Sequence, residues 1–365
     1  MNKERLKGSD AYQEYKKQEL IFGMMKTFLA VAISLGIVFI IIAIFSDNPI
    51  AAAASFIGGP FSSLRRFGNM IEASIPLIFT GLAACIMFQA QQFSLIGDGA
   101  FYLGPLAAIA FSLSFPDQGL LNTIISILLG GIVGAACGVF PGFLKAKWNT
   151  NEFVVSMMFN YVITFFGLYI LLNKLRDPGS GFVASFALSK TVRLARIIPG
   201  TKVHSGLFIA LAMVVLCTVF IYRTRFGFAI RMTGSNIKFA RYIGVNTFLV
   251  VFMVQVIGGL LAGIGGTVEL LGMYDRYQWT ATLGLGFDGM TVAILAANNP
   301  ALVPFGALFL AYVRVGTEVM ARVNNVPTET VYLIQGFAML LITASGFLVR
   351  WRHKMTVKSA ARRAV

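Results

Sequence analysis

The chain reads as an all-α polytopic membrane protein of about ten transmembrane helices, and three observations say so. Hydrophobic residues fill 57% of the 365 positions and charged residues 12%, more apolar than the core of a soluble domain needs. Several apolar stretches reach the roughly 20 residues a helix needs to cross about 30 Å of hydrocarbon. The alternation over about ten residues that marks barrel strands is absent. The formal charge of +15 would suggest nucleic acid in a soluble protein. Here it fits basic loops that hold helix ends at the cytoplasmic surface and meet anionic lipid.

Taken in order, residues 1–23 form a polar, mixed-charge cytoplasmic lead-in, and 24–349 the transmembrane domain. The first span, 24–45, ends at the turn signal from Ser46 to Pro49. It has no small-residue cleavage site after it, so it reads as a retained span rather than a signal peptide. Span two, 71–90, carries Pro76 as an expected kink. The polar interval QAQQFSLIGDG, from Gln89 to Gly99, is too polar for lipid and must be buried in protein or line a wet cavity. Span three is 100–115, span four 120–144 and span five 152–172, with Lys145 to Asn151 between the last two. The long hydrophilic loop 173–204 follows, then span six at 205–222.

A basic segment, 223–246, comes next and carries Arg223, Arg225, Arg231, Lys238 and Arg241 with no acidic residue. Within it Ser235 to Tyr242 is helix-compatible, with Gly234 and Gly244 expected as its start and stop and Asn236 near its start. Two readings fit: a topogenic loop that faces the cytoplasm, or a short helix held in a partner's groove. Span seven, 247–272, is dense in glycine at Gly258, Gly259, Gly263, Gly265 and Gly266, which lets a neighbouring helix approach closely. A mixed loop then runs into the short apolar piece Met290 to Ala297, which reads as a broken helix. Spans nine and ten, 301–320 and 328–349, and a basic tail, 350–365, complete the chain.

Ten spans put both termini on one side of the membrane. Nineteen of the 30 lysines and arginines fall in the lead-in extended through Lys26, the 145–151 loop, the basic segment and the tail. That side is therefore expected to be cytoplasmic and the 173–204 loop external. A faint internal echo joins span two, a polar bend ending in GDG and an apolar restart to span seven, a bend ending in GFDG and a second restart. Five spans apart, the two units would be an inverted repeat of broken helices around a central pathway.

Ionisable and amide side chains at membrane depth are functional candidates by default. Asp98 and Asp288 could face a solute or cap the helices that follow them. Asn160, Gln255 and Gln335 could bond a solute or neighbouring helices. Glu269, near the outer end of span seven, could line the pathway or reach water. The three cysteines, Cys85, Cys137 and Cys217, lie in apolar spans without CxxC spacing and read as packing residues. No metal site is expected from His204 and His353. No GxxxxGK[ST], HExxH or GxSxG motif occurs, so the chain is expected to be no enzyme and to draw its energy from another protein.

The basic segment, with its GSN and ARYIGV, resembles the coupling segment of membrane permeases from ATP-driven (ABC) importers of the branched-chain amino acid, ribose and nucleoside class. VVSMMFNYV (Val154 to Val162), LRDPGSGF (Leu175 to Phe182), GFDGMTVAILAANNP (Gly286 to Pro300) and VPTETVYLIQG (Val326 to Gly336) resemble the same family in the same order. The LRDPGSGF loop is similar to the nucleoside type in particular.

The resemblance implies a subunit of the cell membrane with both termini cytoplasmic, passing a nucleoside inward. It would work with two cytoplasmic ATP-binding subunits, a second permease and an external solute-binding lipoprotein, and would hold no cofactor, ATP being bound by the partners. Gly234, Ser235, Asn236, Arg241, Tyr242 and Gly244 would then couple to the ATPase. At the polar bend the chain departs from the family's glycine-rich FNIGxEGQ-like pattern at Ser94, Ile96, Asp98 and Ala100. It also has Gln89 where an arginine is usual, which favours an unequal partner permease over a homodimer. A simple-sugar or riboflavin importer is the alternative within the class, and an ion-coupled secondary transporter the alternative outside it.

Overall fold

Five of the described helices open on a polar residue whose side chain satisfies a first free backbone N–H group. The computed structural model describes residues 48–115, 119–323 and Gly336. The lead-in 1–23, the span 24–45, the tail, the pathway candidate Gln335 and, Gly336 apart, the span 328–349 lie outside the described residues, and with them the count of ten. Two compact units divide the chain, residues 1–59 with 316–365, and residues 60–315.

In the first unit, α1 (Pro49–Gly58) opens on proline, which needs no N–H partner there. A methyl group on Gly59 would stand 2.7 Å from Val319 Cγ1, and one on Gly316 would stand 2.7 Å from the Phe56 carbonyl, so small residues set this packing.

The second unit holds α2 (Leu64–Gln89), α3 (Ile96–Ser114), α4 (Gly119–Trp148), α5 (Glu152–Ile170), α6 (Gly206–Arg223), α7 (Arg225–Ser235), α8 (Ile237–Tyr242), α9 (Thr247–Met273) and α10 (Leu285–Leu295). The last described helix, α11 (Val303–Val323), begins in this unit and ends in the first. Ser63, Asn151, Thr224, Asn236 and Asn246 each cap the helix that follows through the side-chain oxygen. A single π-helical turn, Leu171–Leu175, extends α5.

Among the described residues seven helices are long and apolar enough to cross a membrane: α2, α3, α4, α5 with its π turn, α6, α9 and α11 with the turn before it. No strand longer than an isolated bridge occurs among them. The chain is an all-α, multi-pass membrane protein. Several helices outrun their sequence expectation. Helix α2 starts at Leu64, and α4 runs on through Lys145 and Lys147 to Trp148, which leaves 149–151 as the connection. Both lysines sit in the last turn, where cations are favoured by the helix dipole.

Helix α9 packs on α2, α3 and α4, and glycine makes this possible. A methyl group on Gly134 would clash with the Gly259 carbonyl, and one on Gly138 with the Gln255 carbonyl. Gly130, Gly134 and Gly138 recur every fourth residue, so one face of α4 is a seam without side chains, and the backbone of α9 lies directly on it. The glycine-rich reading of span seven holds for Gly259 and Gly263 against α4. Gly265 lies under Phe79 of α2 and Gly266 against the Phe101 carbonyl of α3.

Pro76, Pro105 and Pro141 lie inside α2, α3 and α4. The hydroxyl of Thr80 donates to the Pro76 carbonyl at 3.0 Å.

Candidate translocation and coupling site

The interval Gln89–Gly99 folds as a bend between α2 and α3, and its polar groups are paired inside the protein. Gln92 Nε2 donates to the Val251 carbonyl at 3.1 Å, and Gln255 Nε2 donates to Gln92 Oε1 at 2.7 Å. From α5, Glu152, Ser156 and Asn160 stand at i, i+4 and i+8 and so share one face. Glu152 accepts from Phe93 N at 3.1 Å and Ser156 from Leu95 N at 2.9 Å. Asn160 accepts from Gly99 N at 3.2 Å and donates to the Leu95 carbonyl at 2.9 Å. Asn160 is therefore committed to the bend at both ends of its amide. Gln255 keeps one buried atom, Oε1, without a partner among the described residues.

Asp98 lies in the first turn of α3 but does not cap it, because that helix starts at Leu95 with no side-chain cap. Its Oδ1 instead accepts from the backbone N–H of Gly286, at 3.2 Å, in the first turn of α10. Gly286 allows this approach, since a methyl group there would be 2.9 Å from Asp98 Cβ. Capping by Asp288 is also overturned. The N-cap of α10 is Gly284 at φ +72°, and Asp288 is ion-paired with Arg314 of α11. The starts of two interrupted helices therefore meet in one place, which carries Asp98, Asp288 and Arg314. The Asp98 carboxylate takes up an amide at the start of α10, a position that favours anionic groups.

The basic segment forms two helices, not one. Thr224 caps α7 by accepting from Gly227 N at 3.0 Å. Asn236 ends α7 and caps α8, accepting from Lys238 N at 3.0 Å and Phe239 N at 3.1 Å. Gly234 is therefore in the last turn of α7 rather than at the start of the short helix. Gly244, at φ +85°, does end α8, in a conformation that glycine adopts without strain. A side chain on Gly234 would strike the Gln89 carbonyl, so α7 ends directly on the last turn of α2. Gln89 Nε2 in turn donates to the Asn298 carbonyl, at 2.6 Å, just past the end of α10. Arg241 Nε donates to Thr247 Oγ1 at 2.9 Å and ties α8 to the start of α9. Tyr242 is 92% exposed, and Ser235, Ile237 and Phe239 are exposed beside it.

The loop 173–204 and the connection after α9 are stitched together. Ser185 N donates to the Tyr277 carbonyl and Leu188 N to the Asp275 carbonyl, both at 2.9 Å, and Arg193 pairs with Asp275. Asp177 pairs with Arg276, and the Gly179 N–H and then Arg276 hold its carboxyl below the usual carboxylate range. His204 is fully buried, and burial pushes its imidazole down to about 4.

Residues 66–343 match the family described as the permease component of the branched-chain amino acid transport system. The chain belongs to this permease family.

The permease is 31% identical to a glucose ABC transporter permease protein of Haloferax volcanii, over 79% of each chain. It is 28% identical to a nucleoside ABC transporter permease protein of Lactococcus lactis, over 85% of this chain and 87% of that one. A guanosine ABC transporter permease protein of Bacillus subtilis is 27% identical, over 80% and 85%. It is a membrane component of an ATP-driven importer and not an enzyme. Of its five pathway candidates, the fold brings Asp98 and Asp288 together, sets Asn160 behind the bend and places Gln255 against Gln92. Sequence reasoning passes over two charged residues inside the apolar helices of the permease, the half-buried Arg314 and the buried Glu72. The signal that singles out Asp98, an ionisable side chain within an apolar span, would have found both.

Proposed function

We propose that this permease passes a nucleoside inward, driven by two cytoplasmic ATP-binding subunits and supplied by an external solute-binding lipoprotein. A second, different permease subunit completes the pathway. The carrying observation is the seating of Gly234 on the Gln89 carbonyl, which leaves no gap between the basic helices and the last turn of α2. A push on α7 and α8 then reaches the bend and, through the Gln89 bond to Asn298, the end of α10. Two alternative packings of such a joined unit are what an alternating-access cycle needs. Both termini and the segment 223–246 face the cytoplasm in this reading, and Gly234, Ser235, Asn236, Arg241, Tyr242 and Gly244 meet the ATPase. Asp98, Gln255, Asp288 and the Arg314 that pairs with Asp288 border the pathway.

The nucleoside assignment is supported by the names of the Lactococcus and Bacillus relatives and by the LRDPGSGF loop. The Haloferax relative supports a second reading, a simple sugar. Labelled uptake by a deletion strain carrying the full transporter, challenged with unlabelled nucleosides, glucose, pentoses and riboflavin, separates them. Competition by nucleosides supports the first reading; competition by glucose alone replaces it with the second.

A further inference from the structure

At the end of the bundle that carries the stitched loops lies a cleft of about 400 Å³, within the size range of small-solute sites. Phe182, Lys202, Tyr274, Arg276 and Gln278 line it. Arg276 is paired with Asp177, so Lys202 supplies the cleft's uncommitted positive charge. Beside Lys202 and Tyr274, at the ends of α2 and α9, two carboxyl groups are buried: Glu72 is 8% exposed and Glu269 7%. Glu269 lies within hydrogen-bonding reach of Glu72, and Lys202 and Tyr274 are its charged and phenolic neighbours.

Packing does not account for this group. Among the described residues Glu269 Oε2 has no hydrogen-bond partner, whereas Trp279, 5% exposed, packs edge-on against the Tyr274 ring and has the Tyr274 hydroxyl as its polar neighbour. A buried acceptor left open beside that tyrosine costs free energy unless a polar molecule completes it. Two carboxyl groups within reach of one another suit neither a phosphate nor a further carboxylate. Paired carboxyl acceptors beside a lysine and two aromatic rings instead match adjacent hydroxyl groups on a compact apolar ring face.

We propose that Glu72, Glu269 and Lys202 form a polyol subsite, separate from the Asp98–Asp288–Arg314 cluster, which receives the sugar hydroxyls of the solute before it enters the pathway. The subsite rests on the transport reading above and narrows its solute to one bearing a sugar ring. Glu269 is the acceptor for one hydroxyl, Lys202 the donor to its neighbour, and Tyr274 covers the ring.

The test is initial-rate uptake of labelled inosine, 2′-deoxyinosine and 3′-deoxyinosine by a deletion strain carrying the full transporter, with E269Q or K202A in this chain. The parent is expected to prefer the ribonucleoside by about tenfold in KM, the order that a lost buried hydrogen bond produces. E269Q is expected to raise KM for inosine about tenfold, bring the three solutes nearly level and leave the maximal rate little changed. If E269Q does not reach the membrane, K202A, at an exposed position, must show the same levelling. Unchanged discrimination in the variant that inserts overturns the subsite, as does a lost maximal rate with KM intact. A parent that carries glucose and not inosine overturns the nucleoside reading alone, and 2- and 3-deoxyglucose then replace the deoxyinosines in the same comparison. A parent that carries neither overturns the transport reading itself.

Discussion

At the scale of single residues, the sharpest dependence is that of Asp288 on Arg314, because the carboxylate side chain is 5% exposed and this guanidinium is its partner in the ion pair. Removing one member of such a pair strands the other, at a cost of about 3–5 kcal/mol, whereas replacing both with apolar groups can be nearly neutral. R314M is therefore expected to lower the thermal midpoint of the purified protein sharply, and D288L/R314M to restore most of it. Equal midpoints for the single and double variants would show that the pair is not the source of the loss.

His204 gives a second expectation, in pH. Its imidazole is held down to about 4 in the fold, against about 6.5 in an unfolded chain. Between those values the unfolded chain takes up a proton that the folded one refuses, so stability falls as pH drops through that window. Melting curves at about pH 7 and about pH 4.5 should differ less in H204M than in the parent.

At the scale of elements, the basic segment behaves as two capped helices hinged at Asn236. One amide oxygen accepts two N–H groups there, and N236A is expected to weaken α8 by about 1 kcal/mol. Uptake should fall while membrane insertion is unchanged, and N236D, which keeps the acceptor, should retain uptake. G234V drives a branched side chain into the Gln89 carbonyl and should abolish uptake in protein that still inserts, as read by surface labelling. The glycine seam of α4 fails differently. G134L forces a side chain between two backbones in contact, so loss of the folded protein itself is expected, visible as aggregation on size exclusion.

At the scale of the whole molecule, the reading requires a motor on one side and the polyol cleft on the other. A cysteine at Tyr242, whose side chain is 92% exposed, should react with a membrane-impermeant maleimide in inverted vesicles but not in intact cells. Assembly with the ATP-binding subunits should protect it. Labelling from outside the cell would reverse the assigned topology and remove the coupling role with it.

Helix class, the order of the described spans, the two interrupted helices and the permease resemblance were legible in the chain by itself. Hydropathy runs and turn residues are local properties, and lipid demands that each span satisfy its own backbone. Helix starts were legible less well. Asn236 capping α8 is a local event that sequence can suggest, yet the helix α7 before it is amphipathic and short, and no apolar run announces it.

What tertiary structure alone decided is the partner of each buried polar group. Asp98 bonds a residue 188 positions away, Asn160 one 65 positions away, and Asp288 pairs across to α11. A carboxylate near a helix start looks the same in sequence whether it caps that helix or another one. A hydrogen bond is short-ranged and directional, so chain distance carries no trace of which groups meet. Only the packed helices bring Gly286 to Asp98, Arg314 to Asp288 and Glu269 to Glu72.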